Sequence, residues 1–292
     1  MILRRVIEHT RKQEWTAIFI DLVIVVVGVF IGIQVSNWNI ERETNRRAAV
    51  FTERLKADLR VEAWGYDYLI EYNKDILANT ERVLAAMSGD APMSDEQFVI
   101  AAYRASQYSS NDRRRATYDE LISTGTIGLI ADQKLRLTAV MVFESPLFEQ
   151  IFNEGKQAEY REVFRTTVSA GVQRALLDRC GDRLVPPLDY ARIVKSLDYP
   201  CTLELPEEKV RAAAEALRSQ ARLVPALQLR FADIETALSN MQKYNPILLQ
   251  FLHEIAGNQR LHCRHGSTRP TTPLFERSLK FDQDFGLTGV EV

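Results

Sequence analysis

From Thr16 to Val35 the chain carries one ionisable side chain, Asp21, in an otherwise apolar run. A helix of about 20 such residues crosses the hydrocarbon core of a bilayer. Trp15 and Trp38 bracket the run. At a rise of about 1.5 Å per residue they stand about 34 Å apart, which suits aromatic rings at both headgroup layers. A buried helix of a soluble protein would leave the paired tryptophans and the unbroken IVVVGVFIGI unexplained. A cleaved signal peptide has an apolar stretch of about 7–15 residues followed by a small-x-small site. Here the stretch is longer and is followed by Gln34-Val35-Ser36-Asn37-Trp38, a poor site, so an uncleaved anchor is expected.

On a wheel of about 100° per residue, Asp21, Gly28 and Gly32 fall within about 40° of one another. Gly28-Val29-Phe30-Ile31-Gly32 is a G-x-x-x-G pattern, which lets a second helix approach closely and pack by van der Waals contact. A carboxylate on that stripe would face the partner helix rather than lipid. The competing reading is that Asp21 snorkels toward the headgroups and the glycines are ordinary for a membrane helix. Orientation rests on flanking charge. Arg4, Arg5, Arg11 and Lys12 precede the run, and Arg42, Arg46, Arg47 and Arg54 follow it, so the positive-inside rule is nearly tied. A short basic tail is readily retained and a long following domain translocates regardless of charge. We therefore expect a single-pass bacterial inner-membrane protein with its N-terminus cytoplasmic and its main domain periplasmic.

The 292 residues carry a net charge of −2, so no long-range field points to nucleic acid or to an acidic substrate. A chain rich in Ala, Leu, Arg and Glu and sparing in glycine favours helix. The expected fold is all-α: one N-terminal transmembrane helix continuing into a long stalk helix and an antiparallel helical bundle. From Asn39 apolar residues recur mostly at spacings of three, four or seven (Phe51, Leu55, Leu59, Tyr66, Leu69 or Ile70, Ile76, Val83 or Leu84, Met87) until Ser88-Gly89-Asp90-Ala91-Pro92 stops the helix. Gly65 is a weak point in it, worth roughly 1 kcal/mol against Ala. Ser94-Asp95-Glu96-Gln97 is a capping box that opens a helix to about Tyr108. Asn111-Asp112 precedes an amphipathic stretch that stops at Gly125, Asp132 caps the next helix to Glu144, and Ser145-Pro146 opens one to about Leu177. Residues 178–206, with four prolines, are expected to be irregular. Helices follow over Glu207–Gln220 and Leu223–Ala256, the latter broken by Pro246. The resulting division is a cytoplasmic tail at 1–14, the span at 15–38, a periplasmic helical domain at 39–256 and a loosely attached tail at 257–292.

Two segments resemble a known family. Asp21 heading the apolar run, closed by Gly32-Ile33-Gln34-Val35-Ser36-Asn37-Trp38-Asn39, is similar to the amino-terminal signature of a bacterial domain-of-unknown-function family of single-pass membrane proteins. Tyr118-Asp119-Glu120-Leu121-Ile122-Ser123-Thr124-Gly125, followed by Leu129-Ile130, is similar to that family's Glu-Leu-x-x-Ser-Gly stretch, with Thr124 where serine is common. The likeness covers roughly the first half of the chain. It implies an anchored architecture and no activity.

Of the three cysteines, Cys180 and Cys201 flank the proline-rich loop. In an oxidising periplasm a bridge there would stabilise by roughly 3 kcal/mol. Free thiols are expected if the orientation is reversed, and a Cys201–Cys263 pairing stays open. His262, Cys263 and His265, with His253 nearby, offer one ligand cluster where zinc sites draw on two, so no metal or other cofactor is expected. Arg113-Arg114-Arg115 reads as a wet helix start neutralised by Asp112, Asp119 and Glu120, the alternative being an anionic partner or lipid headgroups. Gly125-Thr126-Ile127-Gly128 lacks the ending of a phosphate loop. Neither a Glu-x-x-His pair for a di-iron bundle nor a G-x-S-x-G elbow occurs. Glu159 and Glu162, with Arg161 and Arg165 beside them, form a charged surface. No catalytic motif is present. The expected function is therefore a membrane-anchored helical interaction or scaffold protein, self-associating or joining a membrane-protein partner through Asp21, Gly28 and Gly32, with Trp15 and Trp38 at the interfaces. The alternative is a periplasmic sensor-like or ligand-binding domain working with a separate output subunit.

Overall fold

The computed structural model of the chain describes residues 15–109 and 113–257. The tails at 1–14 and from 258 onward, with the basic residues before the span, Cys263 and the 262–265 cluster, lie outside these residues. All regular structure among the described residues is helical.

Helix α1, Trp15–Ser88, is 74 residues long, about 110 Å at 1.5 Å per residue. It passes through Gly65 without a break. Its two ends live in different surroundings. From residue 18 to residue 47 every side chain is exposed, whereas Leu55, Leu59, Tyr66, Ile70, Ile76 and Val83 are buried. The helix stops where the sequence places the stop. Gly89 takes a positive φ of 85°, and the amides of Asp90 and Ala91 return to the Ala85 carbonyl, a left-handed glycine closing a helix.

Ser94 caps α2, Asp95–Ala105, with the reciprocal Gln97 bond of a capping box. α3, Ala116–Ser123, ends at Gly125 with φ of 68°. A 3₁₀ turn at Ile127–Leu129 tucks Ile130 into the core, and Asp132 caps α4, Gln133–Phe143, through the Leu135 amide. The single helix expected from Pro146 to Leu177 is three: α5, Leu147–Gln157, α6, Glu159–Thr167, and α7, Ala170–Cys180. Ala158 (ψ 128°) and Val168 (ψ 134°) leave the helical region at the breaks. The apolar period survives the breaks because each piece is amphipathic, yet the pieces serve two cores. Ile151 belongs to one, while Tyr160, Phe164 and Val168 belong to the other.

The stretch 178–206, expected to be irregular, holds α8, Tyr190–Leu197. Leu188, with φ of 71°, turns the chain into it, and Asp189 caps the Arg192 amide. α9, Glu207–Arg218, and α10, Leu223–Ser239, follow. A wide turn at Asn240–Tyr244 and Pro246 separate α10 from α11, Pro246–Ala256, as a proline that cannot donate requires.

Two apolar cores result. The proximal core gathers Leu55 to Ile76 of α1 with Tyr118, Phe143, Phe148, Ile193, Ile234 and Leu252. The distal core gathers Val83 with Phe98, Tyr160, Leu176, Val210, Leu217 and Leu227. α10 threads both, distal core first, so it runs antiparallel to α1.

Candidate functional site

Asp21, Gly28 and Gly32 lie on the exposed part of α1, and a Cβ added at either glycine would meet nothing within 4 Å. Among the described residues one helix is long and apolar enough to cross a membrane, and none of its apolar window is buried. Trp15 and Trp38 are 71% and 57% exposed, and the Arg42 guanidinium covers the Trp38 ring at 4.7 Å. Carried along the continuous helix at about 100° per residue, the Asp21–Gly28–Gly32 line passes Asn39, Arg46 and Val50. Leu55, Leu59 and Tyr66 lie roughly opposite that line and are buried in the proximal core. Over residues 51–60 the glycine face is therefore turned away from the side of α1 that the bundle covers, whereas from 62 to 67 the helix is buried all round, Trp64 near the glycine line included.

The basic run 113–115 is a wet helix start only in part: Arg114 and Arg115 are exposed at the start of α3, while Arg113 turns inward. Arg113 donates from Nε to Glu62 at 2.5 Å and from Nη2 to the Val142 carbonyl at 2.7 Å, and its guanidinium lies 4.1 Å from the Phe148 centroid. The Arg114 amide donates to the other Glu62 oxygen at 2.6 Å. Glu62 is 1% exposed, so a buried carboxylate organises this loop. Arg115 does pair with Asp119 at 3.0 Å, but Glu120 turns to Arg54 at 2.9 Å, and Asp112 lies outside the described residues. Beside the loop a cleft of about 560 Å³ is lined by Phe143, Phe148, Phe152, Arg113 and Arg115.

On the charged surface at 159–165, Glu159 pairs with Arg222 at 2.8 Å, and Arg161 turns inward to the Ser106 carbonyl. Among the described residues no cluster of three metal-ligating side chains exists.

Cys180 and Cys201 are joined, Cα to Cα 5.5 Å, across 21 positions. The bridge ties the end of α7 to the segment after α8. Arg104 of α2 donates to the Tyr199 carbonyl at 2.8 Å, and the same nitrogen lies 3.6 Å from Cys201 Sγ. Arg104 and Arg183 both stack on the Tyr199 ring, at 4.7 and 3.4 Å. The Tyr199 hydroxyl donates to the Gly181 carbonyl, and Tyr72 of α1 donates to Asp182 at 2.7 Å. α8 is thereby held against α1.

The seam between α1 and α8 opens into a cleft of about 200 Å³ bordered by Asp75, Asn79, Arg82, Arg104, Leu197 and Asp198. Burial pushes the Asp75 carboxyl up to about 6, Arg104 and Arg82 oppose the rise, and Asp198 and Asp182 add to it. Asp182 is likewise pushed up by burial, against the Tyr72 hydrogen bond and the positive charges of Arg104 and Arg161. Sequence reasoning missed this constellation. Its members come from α1, α2 and two loops, and the one local signal was Cys180 and Cys201 flanking the proline-rich stretch.

Over residues 21–171, just over half of the chain, the sequence matches a family described as a family of unknown function (DUF6090). No curated protein and no solved structure matches.

Proposed function

The chain belongs to the DUF6090 family, and we propose that it is a membrane-anchored interaction protein that acts by binding rather than by catalysis. It crosses the bacterial inner membrane once, with its N-terminus in the cytoplasm and its bundle in the periplasm. Copies, or the chain and a membrane-protein partner, associate along Asp21, Gly28 and Gly32.

The observation that carries this reading is the turn of the glycine face. Two copies of α1 can close on Gly28 and Gly32, where among the described residues the helix meets nothing else, with Leu55 and Leu59 facing away from the contact. Close backbone approach at small residues drives such contacts in lipid, where burial of apolar surface contributes little. The disulfide fits an oxidising compartment.

The test is energy transfer between differently labelled full-length copies in lipid bilayers. Gly28→Ile with Gly32→Ile is expected to remove most of the transfer, and Asp21→Leu to weaken it. Transfer unchanged in the double glycine variant would overturn the proposal.

A further inference from the structure

The cleft between α1 and α8 has a chemistry that the anchor does not use. On its rim Lys74 pairs with Glu71 at 2.7 Å, so those charges answer each other. Asp75 is different. Its carboxylate accepts a long bond from Asn79 Nδ2 at 3.3 Å and feels Arg104 and Arg82 as charges at a distance, not as ion-pair partners. Arg104 directs Nη2 to the Tyr199 carbonyl, and Arg82 reaches Asn79 Oδ1 at 3.3 Å. Among the described residues, an acceptor without a cation in contact thus shares one cavity with two guanidiniums that hold no carboxylate. Ala78, Val194 and Leu197 give the same cavity an apolar wall.

A half-buried carboxylate with so little compensation disfavours the fold, and such groups in a cleft mark binding sites. The volume of about 200 Å³ is smaller than the roughly 300–1,000 Å³ of drug-sized sites, so the occupant has few heavy atoms. The side chains fix what that occupant carries: a cation for Asp75, an anion for the guanidiniums, and a short apolar group between them.

We propose that this cleft binds a small zwitterion of the α-amino-acid type, with its ammonium group on Asp75, its carboxylate on Arg104 and Arg82, and its side chain against Val194 and Leu197. The disulfide keeps the site in shape, because Arg104 and the segment that closes the cleft are both fixed around Tyr199 and Cys201.

The experiment is thermal unfolding of the full chain in detergent with each of the twenty standard amino acids singly at millimolar concentration. It is run at pH ~7.5, on the ionised side of the Asp75 transition at about 6, and again at pH ~5. The charged groups facing Asp75 are Glu71, Lys74 and Arg82 on α1, Arg104 on α2, Asp182 after α7 and Asp198 after α8. Asp75→Asn therefore assigns the pH effect to one residue.

Small apolar amino acids are expected to raise the midpoint in the wild type at the higher pH. Their apparent affinity should fall at least about tenfold at the lower pH and in Asp75→Asn, a loss of about 1.4 kcal/mol. Arg82→Gln, which can keep a hydrogen bond to Asn79, should weaken binding similarly and stands in if Asp75→Asn does not fold. The proposal is overturned if no amino acid shifts the midpoint or if the variants respond as the wild type does. Equal stabilisation by methylamine, which has no carboxylate, would also overturn the zwitterion assignment.

Discussion

At the scale of single residues, Asp75 links chemistry to stability. Its carboxyl is raised from 3.8 to about 6, so the folded state favours the protonated form. The sign follows directly. Its contribution is fully present below 3.8 and is lost as pH rises through about 6, where the ionised group is held in a desolvated place. A rise from 3.8 to about 6 sets an upper bound of about 3 kcal/mol. Asp75→Asn keeps the shape and removes the charge. It is expected to raise stability by up to that amount at pH ~7.5 and to leave it nearly unchanged at pH ~4. Denaturant melts of wild type and variant across that range decide it, and a variant equally or less stable at pH ~7.5 would contradict the assignment. The gain would mark a site where the wild type gives up stability for binding. Residues of this kind are poorly legible in sequence. Ser94 and Asp132 are readable as caps because they bond three positions away. Glu62 and Arg113 find each other across 51 positions, and nothing beside either announces the other.

At the scale of elements, the cysteine pair and the small helix it encloses explain what the sequence conceals. α8 is only Tyr190–Leu197, with Pro186 and Pro187 before it and Pro200 after it. Proline density over such a stretch looks the same whether or not one amphipathic helix of two turns lies inside. The breaks around α6 are concealed for the opposite reason, since the apolar rhythm continues across them. Gly155 gives a local cause for the tight end of α5: a Cβ there would come within 2.7 Å of the Tyr108 Cβ, so only glycine lets this turn approach α2's exit. The helix stops at Gly89 and Gly125, by contrast, are fully legible, because a left-handed glycine is a local device. Closing a loop of 21 positions restricts the unfolded chain by about 3 kcal/mol. Cys180→Ser with Cys201→Ser is expected to lower stability by that order in denaturant melts. Amide exchange should also quicken across 181–200, where α8 leans on α1. Exchange unchanged there would mean that Tyr199 and Asp182 alone hold the segment.

At the scale of the whole molecule, α1 joins the apolar rod to both cores. It supplies the apolar rod, then the spine of the proximal core, then Val83 of the distal core. The family match spans 21–171, yet both cores are closed by residues beyond it: Ile234, Leu248 and Leu252 on one side, Val210, Leu217 and Leu227 on the other. The matched region therefore cannot bury its own apolar faces, and α10, by threading both cores, makes the bundle one body. Which side of a membrane that body would occupy is the property that charge counting leaves nearly tied. The disulfide turns it into a measurable one. In intact cells carrying Cys263→Ser, a membrane-impermeant thiol reagent should leave the protein unlabelled until an impermeant reductant is added. The half-exposed Cys201 should then react first, ahead of buried Cys180. Labelling that needs no reductant and occurs only after permeabilisation would place the bundle in the cytoplasm. In that compartment reduced thiols are the rule, α8 would lack its covalent tie, and a cleft shaped around Cys201 and Arg104 would lose its anchor.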